Sequence, residues 1–513
     1  MKLVKKASWT GVSVLLAASV AVTACGNSNN GNSAEGSASP SAQSTGSASS
    51  TASAPSTASD LPPAELTWYY LESTQQADLK SVEAEVNKYI KPKLNATVKL
   101  KPIAGSDYEQ KMNTSIASGE PFDLVWTSDW RFDFNSNTQK GAFLELDELL
   151  DKYGQKLKAS LPAAAWEDMK VNGKIYGIPN YQIAAKSAGF VVQKRFADKY
   201  HLDPGKIKSY RDMEPFFEQI KQNEPGIIPF GINSDFFEAR AYGVDYFNKM
   251  PHKTVDGKVT VLDQFTMPEY KQHVAMAHEW YEKKYINQDA ATLKNKADVE
   301  KTGVYASTFD YTQKPGGEAA AKAGNGGNDV VFVPLVEPLF TGVTASITAV
   351  SGTSKNPERA VMLAELVNTD PTLYNLLAFG IENKHYTKIG DNTIKVNPSA
   401  GYNPGMNWVM GNVTIGYLTE GQPADTWERT KQANDSAKKD VLYGFKFNVE
   451  SVKAEEANLK AVESEFKKVL DTGTVDPDSY LPQYVEKRKK AGLDRYMAEY
   501  QRQVDEFLKS KGQ

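Results

Sequence analysis

Several short segments set an aromatic ring beside a carboxylate or an amide: Tyr70 with Glu72, Asp129 with Trp130, Asn180 with Tyr181 and Gln182, Asp235 with Phe236, Asp310 with Tyr311, and Asn407 with Trp408. These pairs lie outside helical stripes. Ring planes can cover the flat C–H faces of a polyhydroxylated molecule while acids and amides take its hydroxyls, often two at a time. Asp129 and Trp130 are the best placed, because they follow a short apolar run at 122–126 that reads as a buried strand. Trp408 lies in the Gly/Asn-rich stretch 401–411 and is the next candidate, followed by Tyr181, Asp235 and Asp310. Trp68, Trp126, Trp166 and Trp280 are assigned to packing.

Catalytic constellations are poor by comparison. No GxSxG elbow, Walker A loop or GxGxxG fingerprint occurs, and the Gly-rich stretch 316–327 reads as a surface loop. His278-Glu279 opens like a zinc-binding HExxH, but Glu282 stands where the second histidine belongs. The 63 acidic residues make carboxylate pairs inevitable, and sequence spacing does not give their separation, so glycoside hydrolysis stays open as an alternative. Catalytic residues, metal ligands and cofactors are therefore not assigned.

Composition narrows the classes further. The chain has 513 residues, a net charge of −4 and no long Lys/Arg block, its one run of four being 487–490, which does not suit a phosphate polymer such as nucleic acid. Its length calls for two domains. The one cysteine, Cys25, excludes an intramolecular disulfide and a cysteine-based cluster. Lys2, Lys5 and Lys6 precede an apolar run at 12–22 that is too short to span a bilayer. Val22-Thr23-Ala24-Cys25 then resembles the bacterial lipobox, which predicts a signal peptide over 1–24 and lipid on Cys25. Residues 26–63 are almost wholly Ser, Ala, Asn, Gly, Thr and Pro, a disordered tether.

The body that must position the candidate residues begins at 64. A β-rich run at 66–70 leads to a helical stripe (Leu79, Val82, Val86, Tyr89, Ile90) closed by Pro92, then a strand at 97–100. A second helix carries Tyr108, Met112 and Ile116; the strand at 122–126 follows, and a third helix runs through Phe143, Leu146, Leu149, Leu150 and Tyr153. Alternating strands and helices predict a parallel, doubly wound α/β sheet, whose ligands lie beyond the carboxyl ends of the strands. That places Tyr70 and Glu72 beside Thr127, Asp129 and Trp130. Two C-terminal stripes, Leu459 to Leu470 and Leu493 to Leu508, read as helices packed on the body, with Gly473 ending the first.

The lipobox, the tether and the segments FDLVWTSDW (122–130), GAFLELD (141–147), NGKIYGIP (172–179) and KNPE (355–358) together resemble the extracellular solute-binding proteins of bacterial ABC importers. Segments 313–318, 380–386 and 490–503 resemble the larger sugar-binding lipoproteins of that group. The resemblance implies a two-lobed, type II periplasmic-binding-protein-like fold with added C-terminal helices. Lobe 1 would comprise 64–180 plus 340–400, and lobe 2 would comprise 181–339 plus 401–513. Chain crossings are expected near 179–183, 334–340 and 397–405. Tyr70, Glu72, Thr127, Asp129, Trp130, Tyr181 and Gln182 would face the cleft from one side, and Asp235, Asp310 and Trp408 from the other. The implied function is a monomeric, lipid-anchored receptor on the extracytoplasmic face of the cell membrane. It would bind a carbohydrate and deliver it to an ABC permease. A receptor of the same fold for a peptide is the alternative.

Overall fold

The computed structural model describes residues 61–247 and 250–512. The expected signal peptide, Cys25 and the tether through residue 60 lie outside the described residues. The last tether residues, 61–63, are bound to the body, because the buried Arg359 guanidinium needs acceptors. Its Nη2 donates to Leu61 O at 2.7 Å and Pro62 O at 3.3 Å.

The first sheet is built from β1 (Ala64–Glu72), α1 (Leu79–Leu94), β2 (Ala96–Ala104), α2 (Tyr108–Ala117) and β3 (Leu124–Thr127). β1 pairs in parallel with β2 and β3. It is buried almost continuously from Trp68, as a strand covered on both faces must be. α1 turns Val82, Val86, Ile90 and Leu94 inward at a spacing of one helical turn, and it runs two residues past Pro92. The expected third helix is shortened to α4 (Asp147–Tyr153), which holds Leu149, Leu150 and Tyr153 but not Phe143 or Leu146, and a separate helix, α3 (Phe134–Gln139), precedes it. Phe143 lies between them in an extended bridge to Ser351 and stacks on Phe134 at 6.0 Å. A tight turn at Asn172 and Gly173, both with positive φ, leads on to β4 (Ile178–Pro179).

The chain then leaves for a second sheet. It contains β5 (Ala185–Gln193), β6 (Ile228–Phe230) and, after α5 (Pro268–Glu282), β7 (Tyr305–Gln313). The Gly-rich stretch expected to be a loop contains a helix, α6 (Gly317–Gly324). β8 (Val330–Pro334) and β9 (Leu339–Phe340) follow each other along one edge of β5, with β7 on its other side. The chain returns to the first sheet as β10 (Ile347–Val350), antiparallel to both β3 and β4, giving the order β2-β1-β3-β10-β4. Only the β2-β1-β3 part is therefore parallel. α7 (Pro357–Thr369) covers this sheet and buries Ala360, Leu363, Ala364 and Val367.

The third crossing comes later than expected. Tyr402, Val409, Met410 and Val413 are buried in the first core, so residues 402–413, allotted to the second lobe, belong with the first. Their backbone is satisfied there: Asn180 Nδ2 donates to Val409 O at 2.7 Å, and Val413 N donates to Tyr181 O. The chain crosses between α8 (Thr426–Ser436) and β11 (Lys438–Lys439), which pairs with β9 of the second sheet. Three helices end the fold. α9 (Lys453–Asp471) and α10 (Pro477–Lys490) bury Phe466, Leu470, Leu481 and Tyr484 against Tyr270 of α5. α11 (Leu493–Ser510) buries Tyr500, Val504 and Leu508 against Leu442 and Phe445.

Candidate binding groove

β3 ends in a tightly tied loop. Thr127 Oγ1 donates to Phe132 O at 2.5 Å, and Ser128 Oγ accepts from the backbone N–H of Arg131 at 2.9 Å. The tie pushes Asp129 and Trp130 outward. Both are then clipped to the crossing that precedes β10: Asp129 Oδ2 accepts from Thr344 Oγ1 at 2.6 Å, and Trp130 Nε1 donates to Ala345 O at 2.9 Å. With its one polar atom satisfied, Trp130 keeps 44% of its surface exposed and offers a ring held by edge contact with Trp126 at 5.5 Å. Trp408 lies 6.3 Å from Trp130 and 6.0 Å from Trp126, so it stands beside Trp130 and not opposite as expected. A buried node explains this: Ser346 Oγ accepts from Trp126 Nε1 and donates to Trp408 O.

Trp130 opens on a groove of about 350 Å³ that also meets Asp133, Thr344, Tyr443, Lys446 and Phe447. Charged groups of the second sheet act electrostatically on Asp129 and on one another. Burial pulls the Lys186 ammonium of β5 below the ordinary lysine range, and the Asp129 carboxylate pushes it back up. Lys314, just after β7, is lowered by burial in the same way and raised by Asp310. Burial raises the Asp310 carboxyl in turn, against the hydrogen bond it accepts from Thr312 N at 2.8 Å. Neither ammonium has a hydrogen-bond partner among the described residues, so both have donors to offer. Next to Asp310, Tyr311 is 40% exposed and packs its edge on Phe309 at 5.0 Å. Aromatic ring, carboxylate and unspent donors are the groups that hold a hydroxylated guest.

Of the other expected contacts, Tyr70, Glu72, Thr127, Tyr181 and Asp235 are buried or spent elsewhere, while Gln182 commits only its backbone carbonyl. Tyr70 and Glu72 are buried; Tyr70 packs on Trp68 at 5.6 Å, and burial raises both acidic groups. Thr127 is fully buried and its hydroxyl ties the loop. Tyr181 and Gln182 lie at the first crossing, where Asn434 Nδ2 donates to Gln182 O at 2.9 Å and burial raises the Tyr181 phenol. Asp235 accepts from Lys467 at 2.5 Å, and the same ammonium bonds Asp471 at 2.7 Å, so Asp235 fastens α9. His278 Nδ1 is 2.8 Å from Gly473 O, while Glu279 pairs with Lys283 and Arg211. Among the described residues no group of three or more His, Cys, Asp or Glu side chains could hold a metal ion. Nor is any described helix long and apolar enough to cross a membrane. Lys186 and Lys314 escaped the sequence reading. A lysine between Ala185 and Ser187 in an apolar strand was the one signal available.

Residues 84–380 match the family described as bacterial extracellular solute-binding protein, and residues 441–509 match a domain of unknown function (DUF3502). The chain is 30% identical over 447 residues to a carbohydrate ABC transporter substrate-binding protein of Streptococcus pneumoniae serotype 4, covering 85% of this chain and 89% of that one. Its fold is similar to the crystal structure of an N-glycan transport solute binding protein (NgtS) from Streptococcus pneumoniae. The TM-score is 0.77 at 29% identity, over 88% of this chain and 100% of that one. Against the same protein in complex with Man1GlcNAc the TM-score is 0.74 at 29% identity, over 87% and 100% of the two chains. Against the complex with Man5GlcNAc it is 0.71 at 29% identity, over 88% and 99%.

Proposed function

The chain belongs to the bacterial extracellular solute-binding proteins, and from that premise we propose that it is a lipid-anchored receptor that takes an oligosaccharide between two lobes and hands it to an ABC importer. One observation carries the reading. The exposed Trp130 ring, braced by Trp126 and Trp408, stands with Asp129 on a groove of about 350 Å³, and the Asp129 carboxylate acts electrostatically on the Lys186 ammonium of the second sheet. A guest touching both sheets favours the arrangement in which they are near, so binding is read out as closure. The proposed role needs no reaction: the groove supplies positioned donors, acceptors and a ring face, and the permease senses the closed shape. Lipid on Cys25 and the tether over 26–60 would hold the receptor at the extracytoplasmic face. Like NgtS, it would take an N-glycan-type oligosaccharide.

Thermal unfolding in the presence of Man1GlcNAc, Man5GlcNAc, plant oligosaccharides, peptides and divalent ions tests this. An oligosaccharide at about 100 times its Kd adds about 2.7 kcal/mol of stability. Stabilisation by peptides alone would replace the sugar with the alternative ligand class. Release of new reducing ends from the oligosaccharides would make the chain a hydrolase.

A further inference from the structure

A second recess, of about 680 Å³, adjoins the Trp130 groove and shares Asp168, Gly444, Phe445 and Lys446 with it. Glu167 and Lys170 of the first lobe form one wall. The opposite wall is Ser451 together with Glu499, Arg502 and Gln503 of α11. That second wall lies within the 441–509 segment, to which similarity gives no role.

The wall is firmly placed. Tyr443 Oη donates to Asp168 Oδ1 at 2.5 Å, and Lys446 Nζ donates to Lys170 O at 2.7 Å, which ties the segment to the first lobe. Gln503 Nε2 donates to Asn448 O at 2.8 Å, and Phe447 stacks on Tyr500 at 4.5 Å, which ties it to α11. Side chains fixed before a ligand arrives lose little freedom on binding. The inner groove is near the lower end of the roughly 300–1,000 Å³ typical of ligand pockets, so a long guest must extend beyond it. The recess combines carboxylates, amides and the Arg502 guanidinium with the rings of Phe445 and Phe507, a mixture that suits the hydroxyls and C–H faces of a sugar.

We propose that the C-terminal module walls a second binding chamber, which takes the distal residues of an oligosaccharide whose near end rests on Trp130. The proposal rests on the oligosaccharide reading and assigns a role to the 441–509 segment. Calorimetric titration of the full-length protein with Man1GlcNAc and Man5GlcNAc tests it, using Ser451→Trp to fill the chamber and Arg502→Ala to remove donors from its wall. Both positions are exposed, so the fold should tolerate them. The affinity for Man5GlcNAc should fall about tenfold or more in Ser451→Trp and about threefold in Arg502→Ala, with Man1GlcNAc affinity changed by less than about twofold. Wild-type affinity for Man5GlcNAc in both variants, or an equal loss for both glycans, overturns the chamber while leaving the receptor reading intact. A wild-type protein that binds neither glycan overturns the oligosaccharide reading and the chamber with it.

Discussion

Trp130 shows how a single side chain is prepared for binding. Its indole N–H is already used by Ala345 O, so a ligand meets only the ring. Replacing it with alanine removes the platform without leaving a buried donor unpaired. Trp130→Ala should therefore weaken oligosaccharide binding by about tenfold, or about 1.4 kcal/mol, with little change in the unfolding midpoint. Titration calorimetry and thermal melts separate the two effects. His273 is the opposite case, a buried residue with no part in binding. Its Nδ1 lies 2.9 Å from the Tyr242 hydroxyl, and burial drives its pKa from 6.5 to about 3. The unfolded chain takes up this proton near 6.5 and the folded chain only near 3, so the unfolded state holds more protons between those values and stability falls as the pH falls through that window. At pH 5 the loss is about 2 kcal/mol. Denaturant unfolding of His273→Phe at pH 7 and pH 5 should show a smaller drop than the wild type. An equal drop would mean that His273 does not bear the acid sensitivity.

Elements were legible wherever neighbours in sequence decide them. The strands β1, β2 and β3, α1 with Val82, Val86 and Ile90 turned inward, and the C-terminal stripes follow from periodicity, although Leu79 and Tyr89 of the expected α1 stripe are only half-buried. Phe143 did not, because its place is set by stacking on Phe134 and pairing with Ser351, neither of which periodicity records. Trp408 was set on the wrong side of the cleft, and Lys186 was missed, for a related reason: a sequence can place a residue in a loop or on a strand face but does not say what stands opposite. Gly473 was read as the end of a helix, and the structure adds a second constraint. Its φ is +71°, and a Cβ there would stand 2.2 Å from Ala277 O of α5. α9 and α5 can thus approach only if residue 473 has no side chain. Gly473→Ala should destabilise the protein by about 2–4 kcal/mol, combining left-handed strain with a backbone clash. Chemical denaturation reads this directly, and a loss below about 0.5 kcal/mol would show that the helix pair can spread at little cost.

At the scale of the whole molecule, the three crossings decide whether the groove can transmit binding. Asn434 holds the first and third together: its Oδ1 accepts from Ala184 N at 2.7 Å and Ala185 N at 3.1 Å, while its Nδ2 donates to Gln182 O. Because these backbone groups are buried, Asn434→Ala leaves donors unpaired and should cost about 1–3 kcal/mol. A ligand gains from closure only by touching both sheets, so Man5GlcNAc should reduce the radius of gyration of the wild-type protein in small-angle scattering. In Asn434→Ala the ligand-free particle should be broader in its distance distribution and should contract further when the glycan binds. Its affinity should be lower, since part of the binding free energy then goes into ordering the crossings. A wild-type protein that binds Man5GlcNAc by calorimetry with no change in its scattering would show that the two sheets are fixed relative to each other. The permease would then have to recognise the ligand itself and not a change of shape.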